Sequence, residues 1–263
     1  MNLFAAIDRA MVRLGGRFLR AVRDIVRFLR FCVDVFLALP SVFKNFHFTV
    51  DQMYLIGITS VPLVGLTSIF TGAVAAWQAA YNFADYVPLR YVGTAVGKSV
   101  MLEVGPVLTA LVVSGRVGAA MTAELGTMAV TEQLDAMKVL NLNPFRFLLA
   151  PRLLAGMVML PLLTIFSSFV AILGALAVVT WFKGLSPESF WYGVRLFYTN
   201  WDLFVGILKS FVFGIIISIF GCYYGYSSTG GAEGVGRATM ASVVASNVSV
   251  LISGFLISNF LLR

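Results

Sequence analysis

The sequence predicts an all-α polytopic membrane protein, and its composition is the first reason. Of 263 residues, 59% are hydrophobic and only 12% are charged, which leaves too little polar surface for a soluble chain of this length. Several apolar runs also reach the roughly 20 residues that a membrane-spanning helix needs. We therefore expect an N-terminal interfacial amphipathic helix over residues 1–45. A membrane domain over residues 46–263 should contain about five transmembrane helices and one cytoplasmic helix.

The charge and the cysteine and histidine content exclude several classes of function. The net charge is +7, and much of the positive charge precedes Lys44, which favours contact with a membrane surface over nucleic acid. Cys32 and Cys222 stand far apart in apolar runs, so they form neither a disulfide framework nor a metal site. The only histidine, His47, excludes a histidine-rich metal site and argues against a Ser-His-Asp triad. We therefore expect no enzymatic activity, no metal and no cofactor in this chain.

Residues 1–45 have the arginine spacing of an interfacial helix. Seven arginines recur at steps of three or four residues, which places them on one side of a helix. They are Arg9, Arg13, Arg17, Arg20, Arg23, Arg27 and Arg30. The opposite side is apolar, with Leu14, Phe18, Val22, Ile25 and Leu29. This pattern is typical of a helix among lipid headgroups, and a solvated basic tail is the alternative. We expect Pro40 to end the helix.

Five apolar segments are long enough to cross the membrane. They are Tyr54–Tyr81, Tyr91–Val117, Phe147–Trp181, Trp201–Tyr226 and Met240–Leu262. The segments Asn82–Arg90 and Lys183–Asn200 are expected to be external loops. Because the number of spans is odd and most arginines fall on the side of the N-terminus, the positive-inside rule places the N-terminus in the cytoplasm and the C-terminus outside.

Glu103 is the most informative charge in the sequence. An ionisable residue within a membrane span is costly and indicates a functional site by default. Pro106 follows shortly afterwards and removes a backbone donor, so we expect the helix to be distorted beside Glu103. The alternative is a structural acid that pairs with Lys98 or Lys209.

The segment between the second and third spans is too polar to cross the membrane but is rich in helix-forming residues. We predict a cytoplasmic helix at about residues 122–140. Its mixture of apolar and acidic residues favours docking of a partner, and an ordinary solvated face is the alternative. The candidate docking residues are Glu124, Thr131, Glu132, Gln133 and Asp135.

Residues 231–238, GAEGVGRA, resemble a phosphate-binding loop only superficially. Arg237 stands where that motif has its lysine, and Ala238 where it has a hydroxyl for magnesium. The segment also follows a membrane span rather than a soluble strand. We therefore exclude nucleotide binding here and predict a flexible cytoplasmic turn.

Two blocks of the chain carry the motifs of a known family. The first contains EVGP at 103–106, SGRVG at 114–118, TAELGTM at 122–128, TEQ at 131–133, NP at 143–144 and PR at 151–152. The second contains ILKS at 207–210, GCYYG at 221–225 and GGAEGVGRAT at 230–239. In these blocks the chain resembles the MlaE-type permeases of ABC transporters, and the likeness extends from about residue 50 to the C-terminus.

The resemblance implies a homodimeric permease in the inner membrane of a diderm bacterium. Two cytoplasmic ATPase subunits would bind the ATP and dock near residues 124–137, and an MCE-domain protein would stand above the dimer in the periplasm. The implied function is movement of phospholipids between the inner membrane and the periplasm or outer membrane, which maintains outer-membrane lipid asymmetry. The C-terminus would then be periplasmic. Whether a small cytoplasmic accessory subunit joins is left open.

The resemblance also implies a phospholipid pocket between the two permeases. Its predicted lining is Ala75, Gln78, Ala79, Asn82, Lys98, Leu102 and Glu103. One position departs from the family pattern, since many members have an arginine where this chain has Leu102. Lys98, one turn away, is the candidate substitute for that positive charge.

Two other functions fit parts of the sequence. An ion-coupled secondary transporter would use Glu103 as its proton site and would work without an ATPase, but no inverted repeat is evident. A structural membrane anchor would tolerate changes at Glu103. Identification of the subunits that co-purify with the chain would discriminate among these functions.

Overall fold

A computed structural model describes residues 19, 22–44, 46–83, 87–196 and 198–261, and all regular secondary structure there is helical. Within these residues, five helices are long and apolar enough to cross a membrane. We call them spans one to five; they are Phe46–Phe83, Tyr91–Val130, Phe145–Lys183, Asn200–Tyr226 and Gly231–Leu261. The prediction of an all-α polytopic membrane protein is confirmed.

Residues 22–38 form helix α1, which a 3-10 helix over Leu39–Lys44 continues. The α-helix thus ends just before Pro40, whose ring cannot continue it. Phe31 is buried against the bundle, whereas Leu29 is exposed. Much of the predicted amphipathic helix lies outside the described residues, namely Arg9, Arg13, Leu14, Arg17, Phe18 and Arg20.

Span one consists of α2 (Phe46–Ile56), a 3-10 turn (Ile58–Ser60) and α3 (Val61–Phe83). It starts at Phe46 rather than at the predicted Tyr54, because the polar residues before Tyr54 are also helical. His47 and Asp51 lie on exposed positions one turn apart, with 3.7 Å between the imidazole Nε2 and the carboxylate Oδ2. These two charged side chains therefore lie off the packed face of α2, where Thr49 and Ile56 are buried.

Span two is a continuous helical column that contains two π-helical segments. It comprises α4 (Tyr91–Ser99), a π-helix (Val100–Val104), α5 (Gly105–Val113), a second π-helix (Ser114–Gly118) and α6 (Ala119–Val130). The first π-helix contains Glu103 and immediately precedes Gly105-Pro106. The predicted distortion beside Glu103 is therefore present, in the form of a wider helical turn.

The predicted boundary of span two at Val117 is wrong. Residues Ala119–Val130 extend the same column, since Met121 and Leu125 are buried and α6 packs against spans four and five. The exposed polar residues of α6 lie on its other face. Because the segment contains both polar and apolar residues, its composition predicted a surface helix rather than a packed one. The separate helix that follows span two is shorter than the predicted 122–140, because α7 covers only Gln133–Val139.

Span three begins with a π-helix (Phe145–Leu149) and continues as α8 (Ala150–Lys183). The predicted external loop Lys183–Asn200 is largely helical instead, because α9 occupies Pro187–Leu196. Phe190 of α9 is fully buried, so this short helix is anchored by an aromatic side chain rather than free as a loop.

Span four is α10 (Asn200–Tyr226), and span five is α11 (Gly231–Leu261). The predicted flexible turn at 231–238 is wrong, since these residues are the first turns of α11. The chain reverses just before them, where Gly230 and Gly231 have φ angles of 89° and 71°. These left-handed conformations suit glycine and leave the following residues free to form a helix.

Spans one and three approach each other closely enough for backbones to touch. A β-carbon at Gly72 of α3 would overlap the carbonyl of Ala171 on α8, and one at Gly174 of α8 would overlap the carbonyl of Ile69 on α3. Membrane helices have little hydrophobic driving force to associate, so close packing at small residues is a main source of their affinity. The reciprocal glycines therefore fix where these two spans cross.

Two further crossings use glycines in the same reciprocal way. Gly156 of α8 and Gly214 of α10 each face the other's backbone, and so join spans three and four. Gly93 of α4 faces the carbonyl of Phe190, and Gly193 of α9 faces that of Arg90. The second crossing docks α9 against the start of span two, so it bears directly on the position of the helix that contains Glu103.

Replacement of Gly72 by alanine tests this packing. We expect Gly72→Ala to lower the free energy of unfolding by about 1–3 kcal/mol, because an overfilled contact forces the backbones apart. Gly236→Ala is the matched control, since a β-carbon there meets open space and alanine favours a helix over glycine by up to about 1 kcal/mol. Thermal unfolding of the full-length protein in detergent measures both. Equal stability of the two variants would show that the crossing tolerates a methyl group.

Candidate functional site

Three spans meet at one carboxylate within the membrane. The Lys209 ammonium on α10 lies 2.5 Å from Glu103 Oε1 on span two, and it also donates a hydrogen bond of 2.8 Å to the carbonyl of Leu102. Ser258 of α11 donates its hydroxyl to the same Glu103 oxygen. The Lys209 side chain is 0% exposed and that of Glu103 is 45% exposed. The cation is therefore inside the bundle, while the acid reaches its surface.

The local backbone explains why this cation is held here. In a regular helix the N–H of residue 106 would bond the carbonyl of Leu102, but Pro106 has no N–H. Lys209 donates to that carbonyl instead. A charged group in a membrane interior needs a partner of opposite charge, and Glu103 supplies it. The proline thus leaves the Leu102 carbonyl without its helical donor, and Lys209 both donates to this carbonyl and pairs with Glu103.

Of the two sequence alternatives for Glu103, the structure brings Lys209 to the acid. Lys98 lies elsewhere: its ammonium is 3.7 Å from Asp202 Oδ2, near the start of α10. Ser258 was not identified from the sequence, because a serine in an apolar span carries no signal of its partner. Lys98 therefore forms a second connection between span two and span four, separate from the Glu103–Lys209 pair.

The remaining predicted pocket residues lie in two environments. Ala75 and Ala79 are partly buried, and they pack against a cluster formed by α4, α8 and α9. Gln78 and Asn82 are exposed on the same helix, while the Leu102 side chain is buried. The two alanines thus fill contacts within the subunit, while the exposed pair adds polar groups to the otherwise apolar outer surface of α3. Their lipid-binding role stays a prediction.

The exposed surface next to Glu103 combines polar and apolar groups. Ser99, one turn before Glu103, is exposed. Phe255 of α11, almost one turn before Ser258, is among the most exposed aromatic side chains of the described residues. A half-exposed carboxylate therefore borders an apolar surface at membrane depth.

A second ion pair lies towards the other end of span two. Arg152 Nη2 of α8 is 2.9 Å from Glu124 Oε1 on α6, with side-chain exposures of 3% and 55%. Arg152 also donates a hydrogen bond of 3.0 Å to the carbonyl of Leu148. The sequence predicted Glu124 as a docking residue, and the structure shows that it also neutralises a buried guanidinium. The sequence analysis did not identify Arg152 as its partner, because the two residues lie in different spans.

A cavity of about 230 Å³ separates spans one and two near this pair. Its polar lining includes Gln52, Thr59, Arg116 and Glu124. Arg116 donates a hydrogen bond of 2.7 Å to the hydroxyl of Ser60. This bond connects the second π-helix of span two to the 3-10 turn before α3.

The other four predicted docking residues lie around α7 and are exposed. They are Thr131, Glu132, Gln133 and Asp135. Glu132 has a left-handed φ of 59°, and its carbonyl accepts the N–H groups of Asp135 and Ala136 at 3.1 and 2.9 Å. Leu134 is buried and anchors the helix. The turn at Glu132 therefore sets α7 off from α6 and presents its polar side outward.

The end of α7 adds apolar groups to this surface. Val139 and Leu140 are exposed directly after Lys138, whose ammonium lies 2.7 Å from Asp135. The hydrogen bond to Asp135 raises the pKa of Lys138 above its ordinary value, so the ammonium stays protonated at neutral pH. Exposed aliphatic side chains beside fixed charges are typical of a protein-binding surface. The sequence analysis did not single out Val139 and Leu140.

A double-mutant cycle tests the Glu103–Lys209 pair. We expect Glu103→Gln to lower the free energy of unfolding by roughly 3–5 kcal/mol, because it leaves a buried ammonium without a counter-charge. Combining it with Lys209→Met should restore most of that loss, since removal of both charges leaves no ion to neutralise. Thermal unfolding and the monodisperse fraction of the full-length protein measure both effects.

The control for this cycle is Asp135→Asn, which breaks an exposed lysine–carboxylate pair and should change stability by no more than about 1 kcal/mol. A double variant that is less stable than Glu103→Gln alone would contradict the coupling.

Comparison with known proteins places this chain in a family. The model of the MlaE permease family matches residues 49–260. A probable ABC transporter permease protein of Synechocystis sp. is 41% identical over 225 residues, 86% of each chain. The chloroplastic protein TRIGALACTOSYLDIACYLGLYCEROL 1 of Arabidopsis thaliana is 35% identical over 81% of this chain and 61% of its own. The intermembrane phospholipid transport system permease protein MlaE of Haemophilus influenzae is 33% identical over 83% and 84%. The chain described here belongs to the MlaE permease family.

Proposed function

We propose that this chain is the permease subunit of an ABC transporter that moves phospholipids between the inner membrane and the periplasm or outer membrane. The observation that carries the proposal is the half-exposed Glu103 carboxylate, held at membrane depth by the buried Lys209. The family and the name of the Haemophilus influenzae relative support a phospholipid as the substrate. Maintenance of outer-membrane lipid asymmetry and an MCE-domain partner in the periplasm are the finer parts of the proposal.

The surface around Glu103 suits a phospholipid because it offers both kinds of contact. The exposed oxygen of the carboxylate and the Ser99 hydroxyl provide polar contacts for a headgroup, and Phe255 provides apolar contact for acyl chains. In a homodimer, two such surfaces facing each other would enclose a pocket. Because Lys209 already neutralises the acid, the surface would not repel the phosphate as strongly as a free carboxylate would.

The α7 surface is the proposed docking site for a cytoplasmic ATPase, which would bind the ATP. It continues through a single turn into α6, and α6 is the end of the column that contains Glu103. Movement of α7 would therefore reach the pocket along span two. The π-helical segments are where the column has the most freedom to change, since their wider turns occur mostly as local defects at functional sites. The permease would then have different contacts with lipid in its two states, as coupling requires.

This function places the protein in a bacterial inner membrane with a cytoplasmic N-terminus and a periplasmic C-terminus. Two alternatives give other outcomes in the same experiments. A secondary transporter that used Glu103 for protons would transport without an ATPase. A structural anchor would capture no more lipid on the surface around Glu103 than at a control position that faces the bilayer. The ABC permease relatives favour the proposed function over both.

Site-specific photocrosslinking tests the pocket. Probes at Gln78, Ser99 and Phe255 should capture labelled phospholipid at least severalfold more than a probe at Phe169, because Phe169 is an exposed aromatic on α8 that the proposal assigns to the surrounding bilayer. The experiment uses the full-length protein in vesicles, with the assembled ATPase present. Equal capture at all four positions would place the pocket elsewhere and leave Glu103 as a structural acid.

Charge reversal at Glu132 tests the docking surface. We expect Glu132→Lys to lower co-purification of the ATPase at least tenfold while the permease still inserts, because juxtaposed like charges can cost several kcal/mol at an interface. Glu132→Gly removes the charge but keeps the backbone turn, since glycine accepts the left-handed φ without strain. It therefore distinguishes loss of binding caused by the charge from loss caused by a changed backbone.

The matched control is Glu233→Lys, an exposed acid on α11 that lies outside α7. Unchanged ATPase recovery with Glu132→Lys, or an equal loss with Glu233→Lys, would refute docking at α7.

A further inference from the structure

Helix α1 and the segment before α8 enclose a cationic groove. A cavity of about 570 Å³ lies along α1, with three arginines, Arg23, Arg27 and Arg30, among its lining residues. Phe31 and Phe145 also line it, and their rings lie 5.6 Å apart between centroids. The arginines thus lie beside two phenylalanine rings that pack against the rest of the protein.

A second cavity of about 360 Å³ extends this groove. It shares Asp34 and Phe145 with the first cavity and adds Asn143 and Arg146. The combined groove is therefore lined by four guanidinium groups and a single carboxylate. Arg146 comes from a different part of the chain than the other three, so the arginine spacing of α1 alone did not predict the groove.

The groove is open to an apolar side of α1. Val26 lines the first cavity and Leu37 lines the second, and both side chains are exposed. Leu29 and Val33 are exposed on the same helix. An exposed apolar row on a helix next to membrane spans indicates contact with acyl chains. The cationic groove and the lipid-facing row therefore meet along α1.

We propose that this groove binds the headgroup of an anionic phospholipid from the leaflet in which α1 lies. Guanidinium groups form strong, often bidentate hydrogen bonds with phosphate oxygens, and the acyl chains would leave the groove past Val26 and Leu37. A soluble phosphate compound would use the guanidiniums but would gain nothing from the exposed apolar row. This site lies at α1, apart from the proposed pocket at Glu103, and does not depend on that pocket.

The bound lipid would contact the segment that follows α7. Asn143 and Phe145 line the groove, and the Asn143 side-chain carbonyl accepts the Phe145 N–H at 2.9 Å. Only a short turn separates them from the end of α7 at Val139. Headgroup binding would therefore steady the C-terminal support of the proposed docking helix, which gives the site a regulatory role.

Native mass spectrometry of the full-length protein, titrated with phosphatidylglycerol in detergent, tests the site. Arg30→Gln combined with Arg146→Gln should weaken binding of the first lipid about 25-fold, since a juxtamembrane arginine contributes about fivefold near an anionic surface. Arg30→Lys with Arg146→Lys should retain most of the affinity. Hydrogen exchange of residues 141–147 should slow when the lipid is added to the wild type and not when it is added to the glutamine variant.

Three controls decide the interpretation. Arg237→Gln removes an exposed arginine outside the groove, and a loss of affinity as large as that of the groove variant would mean general surface attraction and overturn the proposal. Equal binding of phosphatidylcholine with the same acyl chains would also overturn it. Competition by glycerol phosphate at the concentrations at which the lipid binds would identify a soluble anion as the ligand instead. Normal thermal stability of the glutamine variant shows that it folds.

Discussion

The neutralisation of Lys209 is the constraint on which this bundle depends. A lysine with no exposed side-chain surface is tolerable inside a membrane only if a counter-charge and acceptors surround it. Glu103 provides the charge, and the carbonyl of Leu102 provides an acceptor at 2.8 Å. Because these groups belong to spans two and four, and Ser258 adds span five, the register of three helices is fixed by the needs of one ammonium group.

The sequence predicted the number of spans and pointed to Glu103 as an acid within a span, because both follow from properties of single segments. Twenty apolar residues and one intramembrane acid can be recognised without knowing what lies next to them. Helix ends were predicted less well where one face is packed and the other exposed. Residues Ala119–Val130 and the first turns of α11 were misjudged for this reason, since composition averages over both faces.

The partner of Glu103 could not be chosen from the sequence because Lys98 and Lys209 both stand in suitable spans. Lys98 is nearer in sequence, but the fold turns its ammonium to Asp202. The groove along α1 was hidden for a related reason, since Arg146 joins the arginines of α1 only through tertiary packing. Pairings between distant segments are set by helix crossings, and here those crossings depend on glycines whose neighbours a sequence does not reveal.

The two ion pairs of span two together restrict how the permease can move. In each pair the cation is buried and the acid is about half exposed, with Lys209 holding Glu103 and Arg152 holding Glu124. Separation of either pair would leave a buried cation without a counter-charge, which is costly. Span two is therefore unable to slide freely past spans three and four. A displacement that starts at α7 must carry those spans with it or be absorbed between the two pairs. The π-helix Ser114–Gly118 lies in that interval, and Arg116 connects it to span one, so it is the element through which movement of span two would reach span one.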